Sequence, residues 1–146
     1  MKKVFYDSWV ARTVLYFSKC DIIMLFGLVF CKRKASEIPQ SARNHECVHA
    51  RQWFEVSVAS GALLLALVLI LGISPWWMLL AGVSYYVWYV VEWAVRAVLY
   101  SVLDDGWDCE KRSAYKDLLM EREARFSERD PHYLENSNYF AWLKEI

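Results

Sequence analysis

The chain has 146 residues, room for one domain, and its 17 Lys and Arg balance 17 Asp and Glu, which gives no reason to expect a nucleic acid or another strongly charged partner. Some 57% of the residues are hydrophobic and 16% aromatic, including eight Trp. So short a chain has little interior in which to bury that excess, and an ordinary water-soluble domain is a poor fit.

Charge placement divides the sequence into three parts. Between Glu55 and Glu92 there is no charged side chain, whereas both flanks are densely charged. The first part, Met1 to Phe17, carries Val4, Phe5, Trp9, Val10, Val14 and Leu15 among Lys2, Lys3 and Arg12, a spacing that fits a short helix or an interfacial strand. Asp21 to Cys31 is an apolar run stopped by Lys32-Arg33-Lys34. A bilayer span needs about 20 residues, so this run predicts a strand or a re-entrant segment. Lys32 to Arg43 reads as a loop feeding a helix, with Ser41 or Asn44 as its N-cap.

From Asn44 the periodicity is helical, and from Val56 to Gly72 it continues without a charge, which predicts a first transmembrane helix. The Gly72-Ile73-Ser74-Pro75 cluster breaks it. Pro75 suits the first turn of a second helix, predicted over Pro75 to Leu103, and Trp76-Trp77 stands where aromatic belts meet a membrane surface. The connecting turn holds no Lys or Arg and the flanks hold many, so the expected location is the inner, cytoplasmic membrane with both termini in the cytoplasm. Asp104-Asp105-Gly106 is a turn signal, Asp108 to Glu128 a polar helix ended by Asp130-Pro131, and Tyr133 to Ile146 a short amphipathic tail.

The expected fold is therefore mainly α: one membrane-embedded domain with an N-terminal interfacial segment (1–43), a transmembrane helical hairpin (44–103), and a cytoplasmic helix and tail (104–146) packed near the start of the hairpin. Short N-terminal strands are admitted. Cys20, Cys31, Cys47 and Cys109 form no CxxC pair and follow no apolar leader, so free thiols are expected.

The chemistry lies in His45-Glu46-Cys47-Val48-His49. Residues four apart share a helix face, so the two imidazoles can bind one divalent ion, with Zn2+ the first choice and other divalent ions accepted by the same ligands. Glu46, beside the first ligand, can take a proton from water that the ion acidifies, while the ion polarises a carbonyl. Cys47 points off that face and is read as structural. Catalytic zinc sites normally use a third protein ligand. His132 follows Asp130-Pro131 and would have to fold back. Glu121 lies thirteen residues along the polar helix, about 20 Å at 1.5 Å per residue, within reach of the entrance to the first helix.

An HExxH helix followed by a Glu-x-x-Ala helix resembles the gluzincin metallopeptidases, including the membrane-embedded HtpX-type and CAAX-prenyl endopeptidases. Glu121-Arg122-Glu123-Ala124 is similar to their second motif, which implies Glu121 as the third ligand and Glu46 as general base. Arg125 stands where an aspartate often follows, and Glu123 remains a rival ligand. The order Asn44-His45-Glu46, His49, Gln52, Glu92, Arg96, Ala114-Tyr115 and Glu121 to Ala124 also resembles a set of short bacterial HExxH membrane proteins of uncharacterised function. That likeness covers roughly Ser18 to the C terminus.

Glu92 is an acid within the second apolar span, with Arg96 one turn on as its natural partner and metal ligation or ligand orientation as its alternatives. Gln52 shares the metal face and could bond an imidazole or a substrate carbonyl. Arg43 and Arg51 are read as contacts to lipid phosphates. The aromatic series Trp76, Trp77, Tyr85, Tyr86, Trp88, Tyr89 and Trp93 is read as lipid-facing packing. The expected activity is hydrolysis of peptide bonds in a peptide or protein substrate at the membrane face. The alternatives are a noncatalytic protein with a structural metal, and a metal-free membrane interaction subunit.

Overall fold

The computed structural model describes residues 4–103 and 114–144. The N-terminal segment is both strand and helix: Val4–Phe5 (β1) and Trp9–Val14 (α1) are joined through Asp7 at φ 53°. The following apolar run is a hairpin of Ile22–Leu25 (β2) and Leu28–Cys31 (β3). The sheet order is β1-β3-β2, with β1 parallel to β3 and Ile22 opposite Cys31 in the antiparallel pair.

Phe26 and Gly27 form the hairpin turn with φ 48° and 74°, the sign that matches strand twist in two-residue turns. A Cβ at Gly27 would stand 2.5 Å from the Trp53 ring, so glycine is required by approach as well as by conformation. The Phe26 N–H donates to the Tyr86 hydroxyl at 2.7 Å. The tip of the hairpin is thereby seated on the helices that follow.

After a 3-10 turn at Ala35–Glu37, helix α2 runs without a break over Gln40–Leu71, 32 residues or about 48 Å. It starts earlier than the sequence suggests, with Pro39 at the cap position, so neither Ser41 nor Asn44 is the N-cap. Proline has no N–H to satisfy and leads into the helix at φ −64°. The Asn44 amide is used across the fold, donating to the Asp130 and Ser127 carbonyls. Gly72 closes α2 in the left-handed conformation. The helix is long and apolar enough to cross a membrane, and only 6% of its most apolar stretch is buried.

The second long helix expected from Pro75 is divided. Pro75–Gly82 is a 3-10 helix lying back along α2, and Ser84–Leu103 (α3) departs from it at 59°. At the break the Gly82 carbonyl accepts the Trp53 indole N–H at 2.9 Å, a bond from another helix. The chain therefore makes a bent return instead of a straight two-helix hairpin.

The polar helix expected over Asp108 to Glu128 lies partly outside the described residues, as do Cys109 and the Asp104-Asp105-Gly106 turn. Its described part is a short turn at 114–116, an extended Leu118 with ψ 136°, and helix α4 over Leu119–Ser127. The Leu119 N–H at the start of α4 donates to Glu92 Oε1 at 2.9 Å, and Arg96 pairs with the same oxygen at 2.9 Å. Helix α5 (Tyr133–Asn136) and a 3-10 turn at Ala141–Leu143 complete the chain. Met24, Val29, Cys31, Ile38, Tyr85, Met120 and Trp142 form the main core, and Val48, Ala124 and Tyr133 a second cluster. Both fix α4 against the first turns of α2.

Candidate metal centre

His45 and His49 lie one turn apart on α2, and Glu121 faces them from the first turn of α4, where the helix dipole favours a carboxylate. Among the described residues these three form a group whose ligand atoms all lie within 4.8 Å of one another. The two Nε2 atoms are 3.1 Å apart, His49 Nε2 is 3.3 Å from Glu121 Oε1, and His45 Nε2 is 3.7 Å from Glu121 Oε2. Ligands at 2.0–2.1 Å from a tetrahedral ion are about 3.3–3.4 Å apart, so small side-chain adjustments bring all three into its first sphere.

The outer partners decide which way the lone pairs point. His45 Nδ1 is 2.8 Å from Glu128 Oε1, and a carboxylate only accepts, so the proton of His45 sits on Nδ1. His49 Nδ1 is 2.9 Å from Gln52 Oε1, with the Tyr85 hydroxyl at 3.2 Å. Gln52 is oriented by its own amide group, which donates to the Met120 carbonyl at 3.0 Å and to Glu123 Oε2 at 2.7 Å. Its oxygen is therefore turned to His49, whose Nδ1 carries the proton. Two Nε2 lone pairs and a carboxylate then converge on one point, an arrangement that only a cation or a proton relieves. Histidines whose far nitrogen is held by a carboxylate or carbonyl are the usual form of a metal ligand.

Glu121 is 1% exposed. Its Oε1 accepts from the Tyr89 and Tyr115 hydroxyls, both at 2.6 Å. Its Oε2 is buried without a hydrogen-bond partner, and Arg125 Nη2 stands 3.5 Å away. An orphaned buried oxygen beside two imidazole nitrogens fits a metal ligand. In the metal-free chain burial disfavours the His49 cation, but Glu121 outweighs it and raises the imidazole, so that a second proton sits on Nε2 where a metal would otherwise bind. Burial alone would likewise push the Glu121 carboxyl up, but the hydrogen bond and charge of that imidazolium, with the Tyr115 and Tyr89 hydroxyls, outweigh it and hold it down to about 2. Glu121 is thus an anion at neutral pH.

Glu46 is half-buried and not one of the three converging ligands; burial raises its carboxyl above the ordinary value, with His49 opposing and Glu121 adding to the rise. Glu123 does not join the cluster: it accepts from Gln52, from Arg51 at 2.6 Å and from Tyr133 at 3.1 Å. Glu92 is likewise tied to Arg96 and the start of α4. His132 is exposed and bonded to Glu135. Arg51 points inward to Glu123 and Ser137, and Arg43 bonds Tyr6 and Gln40, so both have partners within the protein.

The sequence reading missed Glu128, Tyr85, Tyr89 and Tyr115. Glu128 had a visible signal, since it lies seven residues after Glu121 and hence on the same face. Tyr85 and Tyr89 share a face with Glu92 at spacings of four and three, but they were absorbed into an aromatic series read as lipid-facing; Tyr85 is 4% exposed. In comparisons with known protein families, curated proteins and solved structures the chain finds no match, so the site stands on its geometry.

Proposed function

We propose that this chain is a membrane-embedded zinc metallopeptidase that hydrolyses peptide bonds at the cytoplasmic face of the inner membrane. The observation that carries the proposal is the convergence of His45 Nε2, His49 Nε2 and the orphaned Glu121 Oε2. A divalent ion held there supplies acidified water and a polarised carbonyl. Glu46 is the proton acceptor: it neighbours the first ligand on α2, lies within electrostatic range of His49 and Glu121, and burial raises its carboxyl above the ordinary value. Glu128 and Gln52 hold the imidazoles in the ligating tautomer. Tyr89 and Tyr115 anchor one oxygen of Glu121 so that the other is presented.

The membrane assignment is supported by the bare flank of α2. A water-soluble protein of this length would bury a helix with that composition, whereas here Leu63, Leu69, Ile70 and Leu71 are all more than 60% exposed. A lipid bilayer is the partner that covers such a flank. The placement of both termini in the cytoplasm follows from the basic flanks.

A structural metal that fastens α4 to α2 is the second reading, favoured by the burial of His49 and Glu121. One variant separates the two. In the purified full chain in lipid nanodiscs, Glu46→Gln should bind Zn2+ like the wild type and lose at least about 100-fold in cleavage of a fluorogenic peptide library. Unchanged cleavage by Glu46→Gln, or no zinc-dependent cleavage by the wild type, contradicts the peptidase reading.

A further inference from the structure

Helix α3 is amphipathic in the inverted sense. Tyr85, Tyr89, Glu92, Arg96 and Tyr100 recur at helical spacing on the face turned into the protein. Their polar ends are bonded there to His49, Glu121, the Leu119 N–H, each other and Asp117. The opposite row, Val87, Val91, Val95, Val98 and Val102, is between 53% and 78% exposed. A helix on a water-soluble protein turns its charged face outward and its aliphatic face in. Reversal means that the medium outside α3 is apolar.

Its height relative to α2 shows which part of that medium it meets. Ser84 Oγ, at the start of α3, is 2.8 Å from Ser60 Oγ. Ser60 is four residues past Val56, where the charge-free stretch of α2 begins, so α3 starts about 6 Å inside the apolar zone. The return from Leu71 has already been made by the 3-10 helix, whose eight residues cover about 16 Å. One residue into α3, the Tyr85 hydroxyl already reaches His49. The 20 residues of α3 measure about 30 Å and leave the 3-10 axis at 59°. Along that axis they advance only about 15 Å, half of a hydrocarbon core of about 30 Å.

Resting on the membrane assignment proposed above, we infer that α3 is not a second span but a shallow helix at one bilayer surface, its outer valine row in lipid and its inner row holding the metal centre. Lipid is the occupant because the row is continuous with the exposed Leu79 and Leu80 of the 3-10 helix and with the bare flank of α2, and no charge interrupts that surface from Val56 to Val91. A bilayer covers all of it at once. The metal centre then stands about one helix diameter, 10–12 Å, from acyl chains.

The test is a depth profile. Single cysteines at 87, 91, 95, 98 and 102 are introduced into the full chain with its native cysteines replaced by alanine, spin-labelled, and placed in phosphatidylcholine vesicles. Their accessibility to oxygen and to a water-soluble nickel chelate gives depth, with labels at 58, 63 and 69 on α2 as the ruler. The expected result is that all five α3 labels lie on one side of the midplane, graded from the hydrocarbon at 87 to headgroup level at 102 and within about 15 Å of one another in depth, while the α2 labels run across it. A monotonic passage of the α3 labels through the midplane makes α3 a second span and overturns the inference. So do α3 labels that are wet along the whole row, 87 and 91 included, or labels broadened by those of a second copy, with the α2 labels still at depth. If the α2 labels are wet as well, the membrane assignment itself fails. A photocrosslinking residue at 91 or 98 in the chain with its native cysteines gives a second reading: capture of lipid supports the inference, and capture of a second copy contradicts it.

Discussion

His45 and His49 each commit Nδ1 to an acceptor that cannot be exchanged cheaply, one a carboxylate and the other an amide oxygen fixed by two further bonds. Loss of such outer partners usually costs 10–100-fold in metal affinity. Glu128→Ala and Gln52→Ala are therefore each expected to weaken Zn2+ binding by about that factor, read by competition with a chromophoric chelator, whereas Glu135→Ala should leave it unchanged. Glu121 carries a pH signature. Its pKa lies below the ordinary carboxylate range, so its contribution to stability is complete above that range and is lost as pH falls through it toward about 2. In chelator-treated protein, the melting temperature of the wild type should exceed that of Glu121→Gln at pH 6, and the gap should close toward pH 3. At this scale the sequence was informative where spacing within one helix decides contact, as for the two histidines. Gln52 was placed on the metal face, but its partners Glu123 and Met120 come from α4, and nothing local announces them.

Glu92 illustrates what happens between elements. An acid in an apolar helix invites a ligand role, and the Arg96 pairing was legible from a spacing of four. The bond to the Leu119 N–H was not, because it joins positions 27 residues apart across a break at Leu118. Glu92→Ala leaves that N–H without its partner, and the cost expected is about 1–3 kcal/mol, measured by denaturant melts in detergent. A similar long-range bond explains the bent return: Trp53 takes the Gly82 carbonyl, so the predicted helix from Pro75 could not show its break in composition. The hairpin tip offers a check on the same scale. Gly27→Val meets both the Trp53 ring and an unfavourable φ, and it should destabilise the chain by more than Phe26→Ala, which only trims a half-exposed ring.

For the whole molecule, the charge-free stretch announced an apolar surface too large for the fold, and α2 is indeed long, apolar and bare. What charge and hydropathy leave undetermined is which faces of the return turn inward, since valine and tyrosine count alike as apolar while only the tyrosines have hydroxyls to place. The polar face of α3, the N-terminal sheet and α4 together enclose three ligands contributed by two helices more than 70 residues apart in sequence. Zinc should therefore stabilise the fold as a whole, by about 2.7 kcal/mol at a hundredfold excess over its Kd. The most direct measurement is X-ray absorption at the zinc edge on the full chain loaded with one equivalent of Zn2+. The expected first shell contains two imidazole nitrogens and carboxylate oxygen at about 2.0–2.1 Å, with the imidazole scattering lost stepwise in His45→Ala and His49→Ala. A shell with sulfur, a shell of oxygen alone, or a spectrum unchanged in those variants would contradict the His45, His49 and Glu121 centre.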